Sequence, residues 1–374
     1  MHKSRMLGTM GIIVSALIFS ACGSSSSDGG ADKPKGSGFS AEAVAAAKAS
    51  LETASKVPSA RKLTPLAKRP STDVSVVLIG CPIPQCTEAI AQAKQGAKDL
   101  GWNAKEIVAD FTPEAFVGAF NTALQTKPDF IYYIATQPVA TIDKQLQEAK
   151  AAGIPVIAGS PAPDVKAGGD SPIAGITTGP ALTVQFTELM ADVVIADAKS
   201  TEGIVFMFDP AAPSYVQGSE VFKKKITAAG GKVEPLEINQ GEAGTTLPGK
   251  IVSYLQAHPK TKYIVAGNDL MFNGVPDAIK SAGLPLPKLI GNNATDVNRK
   301  YIADGDQFAT VTSDNYGSLW DAIDLMARLS VGETLDPIEP LGESMVVKKA
   351  NLAQEPKVLF PGAPQSYLTA WKVQ

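Results

Sequence analysis

The stretch VSVVLIGCPIPQCTEAIAQAKQGAKDLG, residues 74–101, joins an apolar, β-branched run to a segment of helical periodicity. Ile90, Ala93, Ala97 and Leu100 recur at helical spacing behind a Thr87 cap, and Gly101 is a helix stop. A strand that feeds a helix is the unit from which parallel sheets are built. The alternation continues: AKEIVAD, FIYYIA and IPVIAG supply strands near 104–110, 130–135 and 154–159, and TIDKQLQEAKAAG is a helix closed by Gly153. Strands as apolar as these are covered on both faces. The pattern then restarts. GIVFMFD, KVEPLEI, KYIVAGND and PKLIGNN are four more strands, separated by the helical stretches SYVQGSEVFKKKITAAGG, TTLPGKIVSYLQAHP and LMFNGVPDAIKSAG. The predicted fold class is therefore α/β, with two similar doubly wound parallel-sheet lobes. Ligands of such sheets bind outside the carboxyl ends of the strands, and Cys81 to Cys86 follows the first strand at such an end.

The amino-terminal region has a different character. His2, Lys3 and Arg5 form a basic head, and Leu7 to Ser20 is uncharged and mainly apolar. That core is shorter than the ~20 residues a membrane span needs, so residues 1–21 read as a secretory signal. Its ending, Phe19-Ser20-Ala21-Cys22, resembles the lipobox of bacterial lipoproteins, which implies Cys22 as the lipid-bearing first residue and a place on the outer face of the cell membrane. Residues 22–71 are then a lipid-anchored tether: a Ser/Gly run, an alanine-rich helix over 40–57, and a connector ending in KRPST. Residue types alone leave open whether that helix packs on the body or stiffens the tether.

Export bears on the cysteines. With Cys22 assigned to the lipobox, Cys81 and Cys86 remain as an even pair outside the reducing cytoplasm, so a disulfide is expected. So small a ring contributes only about 2 kcal/mol in the chain-entropy model, which points to local shaping of the loop. A redox, metal or nucleophilic site is disfavoured by the C-x4-C spacing and by the histidine count, since His258 is the sole histidine after the signal. Serine hydrolase chemistry with a histidine base is nearly excluded by the same count. No cofactor or metal is expected, because the Gly-rich pieces KAGGD and AAGGKV match no nucleotide-binding loop. The net charge is -3 and becomes -5 once Lys3 and Arg5 leave with the signal, which argues against nucleic acid.

The segment LQAHPKTKYIVAGNDLMFNGVPDAIKSAG, residues 255–283, carries a specific likeness. Together with KDLGW, EAKAAGIPVIAGS, LIGNNATDVNRKYIADGDQFATVTSD and MVVKK, in that chain order, it resembles the ribose-type family of periplasmic substrate-binding proteins, components of ABC importers, over about Val74 to Lys348. The resemblance implies a monomer that hands a small molecule to an ABC permease. It implies two lobes, 72–176 plus 312–340 and 177–311 plus 341–374, with crossings near Ile173 to Thr178, Ala309 to Asp314 and Leu341 to Val347. It also implies a ligand held in a cleft that closes by hinge motion.

The sugar-binding pattern of that family is only partly present. An Asp-Arg pair after the fourth strand is replaced by Gly159-Ser160, and the arginine expected early in the second lobe falls within Tyr215-Val216-Gln217-Gly218. Asn268-Asp269 matches, and a final Asp is replaced by Asn293. The candidate hydrogen-bonding groups are Gln85, Thr136, Gln137, Ser160, Asn268, Asp269, Asn293 and Asp314, with Ile83, Tyr215, Met271, Phe272 and Tyr316 as candidate walls. Without the cationic groups, the expected ligand is sugar-like or neutral and partly apolar. Two other outputs are compatible with the residues: a receptor signalling to a membrane kinase, and an exported enzyme using Asp209, Glu242 or Asp314. A repressor of the same fold is disfavoured by the signal and by the lack of an amino-terminal helix-turn-helix. The expectation is a binding protein, not an enzyme.

Overall fold

Two mainly parallel sheets form because most strands are returned to their sheet by a helix. The chain, described here from a computed structural model, is defined over residues 38–59, 62–162, 164–177, 179–313, 317–335, 343–356 and 361–373. The signal, Cys22, and the candidates Asp314 and Tyr316 lie outside the described residues. In chain order the elements of the first part are α1 (Ala41–Ala54), β1 (Ser75–Gly80), α2 (Pro84–Leu100), β2 (Asn103–Val108), α3 (Pro113–Gln125), β3 (Phe130–Ile134), α4 (Asp143–Ala151), β4 (Val156–Gly159) and β5 (Gly175–Thr177). Then come α5 (Pro180–Asp197), β6 (Ile204–Phe208), α6 (Pro213–Ala228), β7 (Glu234–Glu237), α7 (Leu247–Ala257), β8 (Tyr263–Ala266), α8 (Val275–Ser281), β9 (Lys288–Asn292) and α9 (Asp296–Asp304). The last are β10 (Ala309–Ser313), α10 (Gly317–Ser330), β11 (Ser344–Val347) and α11 (Ala363–Ala370).

The amino-terminal lobe has the order β2-β1-β3-β4-β5, all parallel, and the carboxyl-terminal lobe has β11-β10-β9-β8-β6-β7, parallel except for β10 with β11. Each sheet is sandwiched between two apolar layers. In the first lobe one face packs Ile90, Leu100, Trp320 and Trp371, and the other packs Phe116, Phe120, Tyr133 and Leu146. In the second, Val193, Phe206 and Phe222 lie on one face, and Ile251, Phe272 and Ile279 on the other. Burial on both faces explains why these strands lack alternation.

Two expectations change, and one point that the residue types leave open is decided. Helix α2 starts at Pro84 rather than after Thr87, because proline at the first helical position loses no hydrogen bond, and Thr87 already bonds back to the Ile83 carbonyl. The alanine-rich helix is α1, capped by Ser40 accepting from the Ala43 amide at 3.1 Å, and it packs on α5 and β11 of the carboxyl-terminal lobe. Residues 341–374 do not all belong to that lobe. Trp371 stacks on Trp320 of α10 at 5.7 Å, and its indole N–H donates to Asp324 at 2.7 Å, so α11 returns to the amino-terminal lobe. The chain therefore passes between lobes more often than the three expected times.

Candidate functional site

A cavity of about 180 Å3 lies at the carboxyl ends of both sheets, with walls from both lobes. From the first lobe come the Cys81–Cys86 loop, Phe111 after β2, Ile134 to Thr136 at the end of β3, and Ser160 after β4. From the second come Ala212, Ser214 and Tyr215 at the start of α6, Gln240 after β7, Asn268 after β8, and Asn292 and Asn293 at the end of β9. Leu182, Thr183 and Phe186, on the first turns of α5, fill the side between them.

The first strand end is shaped by the cysteine pair, joined as a disulfide with Cα atoms 5.4 Å apart. Ile83 is extended at the N-cap of α2, and Pro84 fixes the following turn. This sets Gln85 at the cavity with both of its side-chain polar atoms buried and without a partner. The Thr136 hydroxyl is in the same state. Buried polar atoms are almost always satisfied in native proteins, so these two groups at the cavity wall have donor and acceptor capacity left for a molecule that enters the cavity.

The opposite wall is better satisfied. The Asn268 side-chain oxygen accepts from the Leu270 amide at 2.9 Å, and its amide group engages the Tyr215 hydroxyl. Asn292 donates to the Gly267 carbonyl at 2.8 Å, tying the ends of β8 and β9 together. Burial, and then the negative charge of Asp209, push the Tyr215 phenol above its ordinary pKa, so it stays a neutral donor. Gly267 lets that ring approach: a Cβ there would lie 3.1 Å from Tyr215 ring carbons.

Ser160 and Asn293 hold the same position in their lobes, directly after the fourth strand. Both adopt positive φ, 53° and 61°, a conformation few non-glycine residues take outside special sites.

Six of the sequence-predicted ligand residues, Gln85, Thr136, Ser160, Tyr215, Asn268 and Asn293, are brought together here, along with the wall residue Ile83. Others are not. Asp269 is fully buried within the second lobe, where its carboxylate accepts from Gln307 Nε2 at 2.6 Å and from the Thr310 hydroxyl. It turns away because Asn268 and Asp269 face opposite sides of the chain at the strand end, and Gly291 makes room for its carboxylate. Phe272 and Met271 are core residues beneath the sheet. Gln137 donates to the Phe111 carbonyl at 3.0 Å and so holds the Phe111 loop.

Phe111 and Gln240 are not among the candidates read from the sequence, although both follow strands and the strand-end rule reaches them. Phe186 and Thr183 had no such signal, because they sit on a helix that enters the cleft from the hinge.

No Asp, Glu, Lys, Arg or His is among the described residues lining the cavity. Asp209 is occupied in bonds to the amides of Ala211 at 2.9 Å and Gln240 at 2.8 Å, and Glu242 pairs with Lys250. His258 stacks on Tyr254 at 4.2 Å, away from the cavity. Among the described residues there is no cluster of His, Cys, Asp or Glu suited to a metal, and no helix long and apolar enough to cross a membrane. The site offers amides, hydroxyls and aromatic faces for holding a solute.

Residues 74–334 match the periplasmic binding protein domain. No curated protein matches the chain. Among solved structures, a carbohydrate transporter solute-binding protein from Agrobacterium radiobacter, in complex with D-arabinose, is 24% identical with a TM-score of 0.63, over 75% of this chain and 96% of that one. A 5-methylthioribose transporter solute-binding protein from Thermotoga lettingae, bound to 5-methylthioribose, is 17% identical with a TM-score of 0.66, over 83% and 95%. An ABC transporter solute-binding protein from Mycobacterium smegmatis, with bound glycerol, is 18% identical with a TM-score of 0.63, over 77% and 99%. With its two lobes, its cleft at the strand ends and a domain match over most of its length, this chain belongs to the periplasmic binding protein family, whose members bind solutes and are not enzymes.

Proposed function

We propose that this protein is an extracytoplasmic solute-binding component of an ABC importer, anchored through Cys22, that captures a small neutral hydroxylated solute between its lobes. The observation that carries the reading is a cleft whose described lining residues are all uncharged and in which Gln85 and Thr136 are buried without partners. A sugar or polyol hydroxyl both donates and accepts, so it satisfies an amide and a hydroxyl together, and the faces of Phe111, Phe186 and Tyr215 suit the apolar side of a sugar ring. The solutes named for structural neighbours, D-arabinose, glycerol and 5-methylthioribose, belong to that size and charge class. An ionised solute would enter the site with no countercharge among the described lining residues, at a high desolvation cost.

Binding acts through differential affinity. The solute touches both lobes only in the closed form, so it shifts the population towards the form a permease recognises. Thermal-shift screening of the mature protein against neutral pentoses, hexoses, polyols and their phosphorylated counterparts tests this, because a solute that binds only the folded state raises the melting temperature. A neutral member is expected to give the largest shift. A preference for the phosphorylated compounds would overturn the ligand class. For the anchor, partition of the full-length chain into membranes is expected to be lost in Cys22→Ala, and retention there would argue against lipidation.

A further inference from the structure

The matched domain ends at residue 334 and begins at residue 74, so the described segments 38–59, 62–73, 343–356 and 361–373 lie beyond it at its two ends. These terminal segments have a shared layout. On the carboxyl-terminal lobe, Phe39 packs against Gly231, the Ser40 amide donates to the Ala229 carbonyl at 3.4 Å, and α1 lies on α5. Leu66 is buried in the core of the amino-terminal lobe, the Ala67 amide donates to Glu333 at 2.7 Å, and Arg328 donates to the Thr64 carbonyl at 2.7 Å. The amino-terminal segment is thus fixed to both lobes. The carboxyl-terminal segment does the same in reverse: Glu355 is held by Arg299 and Thr312 of the second lobe, and Tyr367 and Trp371 are packed into the first.

The two segments are also joined to each other on each side of the hinge. Asn351 donates to the Ser55 carbonyl at 3.1 Å on the carboxyl-terminal lobe. On the amino-terminal lobe the Leu66 amide donates to the Ala370 carbonyl at 2.8 Å, and Lys372 donates to the Ala67 carbonyl at 2.8 Å. The passage is short. Ser59 still lines a surface cavity together with Glu188 of α5 and Ser344 of β11, whereas Leu63 already packs on the first lobe's core. Four residue steps span at most about 14 Å of extended chain.

We infer that the two termini form a paired clasp across the hinge, which limits how far the lobes separate in the unliganded protein. A shorter excursion of the open state raises the apparent affinity, because less of the population must be moved to the closed form. The constraint resides in the length of the passage, so slack added to it without altering either attachment isolates the effect. Six Gly/Ser residues inserted between Ser59 and Ala60 add about 13 Å of root-mean-square reach.

The test uses the full mature chain with spin labels on non-canonical residues at exposed positions 91 of α2 and 224 of α6, leaving the cysteine pair intact. Pulsed dipolar spectroscopy without solute is expected to show a longer and broader interlobe distance in the insertion variant than in the parent. Leu66→Ser, with hydrogen exchange confirming release of residues 64–67 and retention of β1, is expected to move the distribution in the same direction. A distribution unchanged by the insertion overturns the clasp, and so does a change seen only in Leu66→Ser, which would report repacking of the first lobe. A change in the insertion variant alone supports it, since the remaining bonds then hold the attachment.

Discussion

The two walls of the cleft are built from equivalent strand ends but are finished differently. In the amino-terminal lobe the loop after β1 is closed by Cys81 and Cys86, and it presents Gln85 with no internal partner. In the carboxyl-terminal lobe the loop after β6 is held by Asp209, whose carboxylate takes the amides of Ala211 and Gln240, and Asn268 and Asn292 are already bonded to backbone. One wall is shaped covalently and leaves the Gln85 and Thr136 side chains without internal partners. The other is shaped by the polar groups themselves. A substitution on the first wall is therefore expected to alter binding with little effect on folding, whereas one on the second alters both.

The sharpest break of this contrast compares Gln85→Ala with Asn268→Ala. Loss of Gln85 leaves ligand groups unpaired and should weaken binding by about 1–3 kcal/mol, while the melting temperature of the unliganded protein stays level or rises. Asn268→Ala should weaken binding too, and it should also lower unliganded stability by about 1 kcal/mol, because it removes the bond to the Leu270 amide. Calorimetric titration paired with chemical denaturation separates the two. Equal stability losses in both variants would erase the distinction between the walls.

Opening the covalent wall is the next largest effect. With Cys81 and Cys86 both replaced by Ser, the small ring's contribution of about 2 kcal/mol sets the upper bound on lost stability. Affinity should fall by a larger factor, since Gln85 is then no longer held at the cavity. The same two measurements decide it: a large stability loss with affinity intact would show that the disulfide serves the fold and not the cleft.

Much of this was legible from residue order. The doubled strand-helix pattern yields both sheets, because apolar runs of β-branched residues followed by periodic helices admit few other arrangements. The strand-end rule brings six of the candidates to one cavity. What local pattern cannot carry is the direction of a side chain at a chain reversal, and so residue order groups Asp269 with its neighbour Asn268 although it turns into the core. Nor does composition reveal where a terminal helix docks. The alanine face of α1 and the aromatic residues of α11 are suitable for packing on any apolar partner, and their lobes were decided by long-range contacts with α5 and with Trp320.

Asp269 supplies the smallest effect and the one with the clearest sign. Burial raises its carboxyl well above the usual range, and the bonds from Thr310 and Gln307 offset only part of that cost. A group with a raised folded-state pKa binds its proton more tightly when folded. Its contribution is therefore most favourable below the unfolded value of about 3.9, and it declines as pH rises through that value to the folded pKa, where it levels off. In Asp269→Asn the side-chain oxygen still accepts from Gln307, the amide donates to the Thr310 hydroxyl, and no charge is buried. The stability of the variant relative to the parent is thus expected to increase as pH rises from the acid end and then hold constant. Taking the difference cancels carboxylates that shift the other way, such as Asp129, which the Ser75 amide and hydroxyl hold below its ordinary value. Ligand affinity at neutral pH should match the parent, since Asp269 does not reach the cavity. A flat stability difference would mean that the carboxyl is not raised, and a lost affinity would return Asp269 to the ligand wall beside Asn268.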